Sequence, residues 1–149
     1  MKENDILNLL VTKGLRLTKT RRALVSFFLE EAPPLSATHI LEKLRCLGRG
    51  VNKTTVYREL ERLEKIGIVR SVWFRERKQY YELAHRDHHH HFVCTMCDAI
   101  TDIVINELNI LTKARQLGQQ IGFSVTAHMM EFYGQCAACR KVLLYRQSV

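Results

Sequence analysis

The sequence predicts an α+β protein built as two small domains, and three observations carry that expectation. Helix signals fill residues 4–67 and then give way to two strand-like runs. Positive charge is concentrated at the front: residues 1–84 hold 17 Lys and Arg against 10 Asp and Glu, while residues 85–149 hold 6 against 5. The second half instead carries four adjacent histidines and two CxxC pairs. A chain of 149 residues suits one ordinary domain or two small ones, and 46% apolar residues are enough for a core.

Residues 4–13 read as a short amphipathic helix, capped by Asn4 and stopped at Gly14. Thr18 can cap a second helix running to about Leu29, and Pro33-Pro34 enforces a break. Ser36 caps a third, with Ile40, Leu41, Leu44 and Leu47 on one face and Gly48 as the stop. Asn52 caps a fourth helix, which ends at Gly67.

The fourth helix is the most informative. Val56, Leu60 and Leu63 follow the i, i+4, i+7 spacing of a buried stripe. Thr54, Arg58, Glu61 and Lys65 then fall on the opposite face, with Tyr57 on its flank. Its first turns therefore present Lys53, Thr54, Thr55, Tyr57 and Arg58, types that suit a recognition helix in a major groove. An ordinary solvated helix would carry the same residues. The runs 68–74 and 79–83, joined by the charged turn Arg75-Glu76-Arg77-Lys78, add a hairpin after the helices. Together these make a winged helix-turn-helix, whose turn either touches a flanking phosphate or is a solvated loop tip.

The second half reads as metal chemistry. The histidine run is internal and short, unlike an expression tag. In a strand, His88 and His90 would face one way and His89 and His91 the other, so one strand could serve two sites. Cys94, Cys97, Cys136 and Cys139 match a tetrahedral zinc site; a redox role for one CxxC is the rival. The 38 residues between the pairs must hold structure, read as a helix over 106–120 and a strand over 123–133. Zinc would clip that strand to the first one. Further candidate ligands are Glu82, Asp102, Glu107, His128, His85 and His39, a mixture that suits iron, zinc, manganese or cobalt. No apolar run approaches the roughly 20 residues of a membrane helix, and no signal peptide opens the chain. A cytoplasmic protein without membrane association is therefore expected, its thiols available to metal.

The chain resembles the ferric uptake regulator (Fur) family over nearly its whole length. The resemblance rests on Gly14-Leu15-Arg16-Leu17-Thr18 with Arg21, Thr55-Val56-Tyr57-Arg58, Tyr81-Glu82-Leu83 and the His88–Cys97 run. His128 and Tyr133-Gly134-Gln135-Cys136-Ala137-Ala138-Cys139 complete it. It implies a winged-helix DNA-binding domain (1–84), a hinge (85–88) and an α/β dimerisation and metal-binding domain (89–149). It also implies a homodimer that binds double-stranded DNA at AT-rich inverted repeats when a regulatory metal is loaded, usually repressing metal-uptake genes.

By position, the resemblance makes the four cysteines the structural zinc site. It places Glu82, His89 and His91 on the sensing site, with Asp102 where some relatives supply another ligand. His88, His90 and His128 fall on a second site, with Glu107 the nearest carboxylate. Arg16 matches a minor-groove residue, Tyr57 and Arg58 the base-contacting pair, and Arg21 a phosphate contact. One departure stands out: Pro34 occupies a position where many iron and peroxide sensors place a histidine. His39, His85, another carboxylate or water would then complete the sensing site. The regulatory ion implied is Fe2+ or Zn2+, with Mn2+ possible; Glu82 in place of an aspartate disfavours peroxide sensing. The alternatives are a peroxide- or manganese-responsive member of the same family, a metal-dependent hydrolase, or a zinc-stabilised interaction module. The hydrolase lacks an obvious nucleophile or general base, so no enzyme is expected.

Overall fold

The computed structural model describes residues 2–74 and 78–147. The expected wing tip, Arg75-Glu76-Arg77, lies outside the described residues. The chain divides into two compact units, Met1–Asp87 and His88–Val149.

The first unit opens with α1 (Glu3–Thr12), which starts earlier than expected. Asn4 lies inside the helix, and the Lys2 N–H donates instead to Asp5 Oδ2 at 2.9 Å. Helix α2 (Lys19–Glu30) is capped by Thr18, whose hydroxyl accepts the Arg21 N–H at 3.2 Å. A two-residue strand, β1 (Leu35–Ser36), follows the prolines. Ser36 then caps α3 (Ala37–Cys46) by accepting the His39 N–H at 3.1 Å. Helix α4 (Lys53–Ile66) starts at Asn52, whose Oδ1 accepts the Thr55 N–H at 2.8 Å. It stops at Gly67, whose φ of 79° is the left-handed region where a side chain would be strained.

Strands β2 (Val69–Phe74) and β3 (Lys78–Leu83) pair antiparallel, with Arg70 opposite Glu82, and β1 adds to the other edge of β3. Ile6, Leu10, Leu24, Ile40, Leu44, Val56, Leu60 and Leu63 are fully buried between the helices. Each such side chain contributes about 1.5–3 kcal/mol relative to exposure. That core presents the exposed face of α4 as a rigid edge.

The second unit is a three-stranded sheet with β4 (His90–Cys94) in the middle. It pairs antiparallel with β5 (Ile100–Ile103) and parallel with β6 (Glu131–Gly134). Helix α5 (Leu108–Gln120) connects β5 to β6, and α6 (Ala137–Gln147) follows the second CxxC pair. The strand expected over 123–133 is confined to its last residues, and 123–130 is irregular. The reason lies at Gly118 on α5. A Cβ there would sit 2.8 Å from the Phe123 carbonyl oxygen, so the returning chain packs on the helix before reaching the sheet.

Candidate metal centres and nucleic-acid interface

The candidate recognition face is built by α4. The Asn52 cap fixes the first turn, and Val56, Leu60 and Leu63 root the helix in the core. Lys53, Thr54, Tyr57 and Arg58 stand on the exposed side, with the Lys53 ammonium 5.7 Å from the Tyr57 ring centroid. Arg16 is exposed in the link between α1 and α2.

Arg21 is different. It is 4% exposed, with Nε and Nη2 at 2.8 and 2.7 Å from Glu59 Oε2 and Nη1 donating to the Arg16 carbonyl. Its guanidinium is committed inside the protein, so the expected phosphate contact has almost no exposed surface to work from. Glu59 was not singled out from the sequence. Its position three residues after Val56 and one before Leu60 puts a carboxylate on the buried stripe, and that was the available signal.

Also in the first unit, Glu82 is 2% exposed and accepts from Arg70 Nε and Nη2 at 2.7 Å, with Arg86 Nη1 3.5 Å away. Sequence reasoning missed both arginines; the cross-strand register places Arg70 opposite Glu82, and Arg86 reaches it from four residues further along the chain. Pro34 is buried and carries no ligand atom. His39 and His85 are exposed, and His39 lines a cavity of about 490 Å³ with Phe27, Glu42 and Cys46.

In the second unit the histidine run divides as a strand divides it. His88 and His90 pair ring to ring at 4.7 Å, and His89 and His91 at 5.0 Å. On the first face, Glu107 gathers three imidazoles. His88 Nε2 lies 2.5 Å from Glu107 Oε1, while His90 Nε2 and His128 Nε2 lie 2.9 and 2.6 Å from Oε2. His90 Nδ1 is held 3.2 Å from the Met130 carbonyl, which orients the ring. One ligand atom from each of these four residues falls within 4.8 Å of the others. Burial raises the Glu107 carboxyl, but hydrogen bonds from His128 and His90 outweigh it and hold the group below its ordinary value. A buried carboxylate ringed by three imidazoles is a donor set suited to a divalent transition metal.

On the opposite face His89 and His91 are both buried, and His91 Nδ1 lies 3.1 Å from Asp102 Oδ1, its partner in the β4–β5 register. The imidazole–carboxylate pair fixes the orientation of the ring.

The four cysteines converge from the end of β4, the turn after it and the start of α6, with one sulfur of each within 4.8 Å of the others. Cys97 Sγ and Cys136 Sγ are 3.8 Å apart, and the Cys136 and Cys139 N–H groups point at Cys94 Sγ and Cys136 Sγ. Backbone N–H groups of Cys136, Met96 and Cys97 bring the Cys94 thiol down to about 6. Hydrogen bonding to Cys136 and Cys97 pushes Cys139 up to about 12. The Ala99 N–H favours a Cys97 thiolate, yet its sulfur neighbours Cys94 and Cys136 outweigh that and raise it. One thiolate is preformed and the next is opposed, which is the electrostatic situation a bound Zn2+ resolves.

A model of the ferric uptake regulator family matches residues 12–133. The ferric uptake regulation protein of Neisseria gonorrhoeae is 30% identical over 128 residues, covering 85% of this chain and 88% of its own. The peroxide-responsive repressor PerR of Staphylococcus saprophyticus is 28% identical over 137 residues, covering 91% of this chain and 90% of its own. Among solved structures, the Helicobacter pylori ferric uptake regulator, described as having three functional metal binding sites, aligns with a TM-score of 0.78. It covers 94% of this chain and 95% of its own at 24% identity, a likeness of fold. With the winged-helix residues, the histidine run and the first CxxC pair inside the matched span, the chain belongs to the ferric uptake regulator family of metal-responsive, DNA-binding transcriptional repressors.

Proposed function

We propose that this chain is a cytoplasmic, homodimeric repressor of metal-uptake genes, which binds an AT-rich inverted-repeat operator when a regulatory ion is loaded. In this reading Cys94, Cys97, Cys136 and Cys139 hold structural zinc. His89, His91 and Asp102 with Glu82 form the sensing set for Fe2+ or Zn2+, with Mn2+ a possible substitute. His88, His90, Glu107 and His128 form the second site of the dimerisation domain. Domain limits of 1–84 and 89–149 about a hinge at 85–88 belong to the same proposal.

The observation that carries the reading is the two-faced strand: alternate imidazoles of β4 meet Glu107 on one side and Asp102 on the other. When bound, a divalent ion supplies the charge that holds imidazoles and carboxylates in one arrangement. The residues decide whether that matters for DNA, because only a donor set more complete in the DNA-competent arrangement shifts the population toward it. Arg58 and Tyr57 then read base edges, and Arg16 enters the minor groove.

The test is the pair His89→Ala with His91→Ala in the full chain. Metal analysis should still find zinc at the cysteines, and circular dichroism should be unchanged. Metal-stimulated binding to a duplex selected from a random pool should disappear. Unchanged metal stimulation would refute the sensing assignment. Loss of fold would mean these imidazoles are structural.

A further inference from the structure

We propose that Arg21 is a positioning residue for DNA recognition, tying the backbone of the Arg16 segment to Glu59 of the recognition helix. The proposal rests on the assignment of Arg16 and α4 to the DNA surface.

The geometry is a three-way junction inside the first unit. Arg21 reaches α4 through Nε and Nη2, both on Glu59 Oε2 at 2.8 and 2.7 Å. Its Nη1 donates to the Arg16 carbonyl, and its own backbone N–H donates to the Thr18 hydroxyl. The side chain and main chain of one residue thus grip the 16–18 link from both ends. The second oxygen of Glu59 is engaged by Arg62 Nη1 at 2.5 Å, so the carboxylate is fixed from two sides.

A planar guanidinium suits this task because its donors leave in fixed directions, two toward the carboxylate and one toward the carbonyl. An ammonium offers a single point of attachment. A buried salt bridge replaced by apolar residues of similar volume is often neutral or stabilising, so its presence is weak evidence of a role in stability. What the pair supplies is direction. Arg16 and the first turn of α4 are separate elements of the sequence, and reading one site with both demands a set spacing between them. Arg21 makes that spacing a property of the fold rather than of the complex.

The experiment uses the full-length protein in saturating Mn2+ and a duplex selected from a random pool. At the A·T pairs under Arg16, each pair is replaced by G·C or by inosine·C. Both replacements change the major groove alike, but only G·C adds an amino group to the minor groove, so their difference isolates minor-groove reading. Wild type should bind the G·C duplex about tenfold more weakly than the inosine·C duplex. In the double variant Arg21→Met with Glu59→Leu that difference should fall to within about twofold, and adding Arg16→Ala should change nothing further.

Equal weakening on both duplexes, with the difference kept, would show a merely structural role and overturn the proposal. Should circular dichroism show that the double variant is unfolded, Arg21→Lys carries the same readout, since it keeps the charge and gives up the fork. If wild type itself fails to distinguish the two duplexes, the Arg16 assignment falls and takes the proposal with it. If wild type binds no duplex, the repressor reading falls first.

Discussion

Glu107 shows how much one carboxylate organises. Far from its partners along the chain, it meets imidazoles from 19 and 17 positions before it and 21 after it, the grouping the family resemblance implies. His128 belongs to an irregular stretch, and the Glu107 oxygen at 2.6 Å joins the His88 and His90 rings in holding that imidazole. Glu107→Gln keeps the shape and removes the charge. Competition against a metal indicator should then show one class of divalent site weakened at least about tenfold. The cysteine-bound zinc should stay, because no residue is shared between the two clusters. Loss of both ions together would place Glu107 in the architecture of the whole unit instead.

At the scale of the element, α4 joins stability to recognition in one turn. Asn52 Oδ1 accepts from the Thr55 N–H and from the Thr55 hydroxyl at 2.9 Å, so the cap and the turn proposed to face DNA are continuous. Asn52→Ala should destabilise the first unit by about 1 kcal/mol. The readout is urea unfolding followed by Trp73, the single tryptophan, which lies on β2 of that unit. Operator affinity should fall by more than the small unfolded fraction explains, because Lys53–Arg58 begin at the frayed end. An unchanged affinity at full occupancy of the fold would show that the cap does not order the reading residues.

Elements with their own chemistry were legible in the sequence. The caps at Thr18, Ser36 and Asn52, the stops at glycines and the hydrophobic stripe of α4 are local signals, and all appear. Elements made by partners were not. Strand β1 is two residues long and exists through its pairing with Tyr80 and Tyr81. Residues 123–130 carry strand-like composition, but Gly118 admits the chain close to α5 and packing overrides propensity. Helix α6 was not anticipated at all. The candidate site divides in the same way: cysteine spacing and the histidine run could be read directly, whereas the burial of Arg21 and the arginine clasp on Glu82 required the fold.

At the scale of the molecule, the two units are stabilised differently. The first has a continuous apolar core from Ile6 to Tyr81. In the second, Val93 and Cys94 are the buried apolar residues among those described, while Val104, Ile121 and Met129 are 80% or more exposed. Zinc and a second copy of the chain are the natural complements to such a module, and dimerisation is a property of the family. Stripping the cysteine-bound zinc with a strong chelator should therefore dissociate the dimer in sedimentation and remove the second unit's helical signal. The Trp73 unfolding transition should persist. Simultaneous loss of both transitions would show that the first unit leans on zinc as well.

Strand β4 has one further consequence. With β5 on one side and β6 on the other, it has no freedom to slide, and its odd and even positions serve different ligand groups. Substitutions can therefore retune one ion's chemistry while the other is untouched, but an insertion or deletion of a single residue in the run would exchange the two allegiances at a stroke. Two chemically separable donor sets share one frame, so their identities can drift independently while the count of residues between Asp87 and Cys94 cannot.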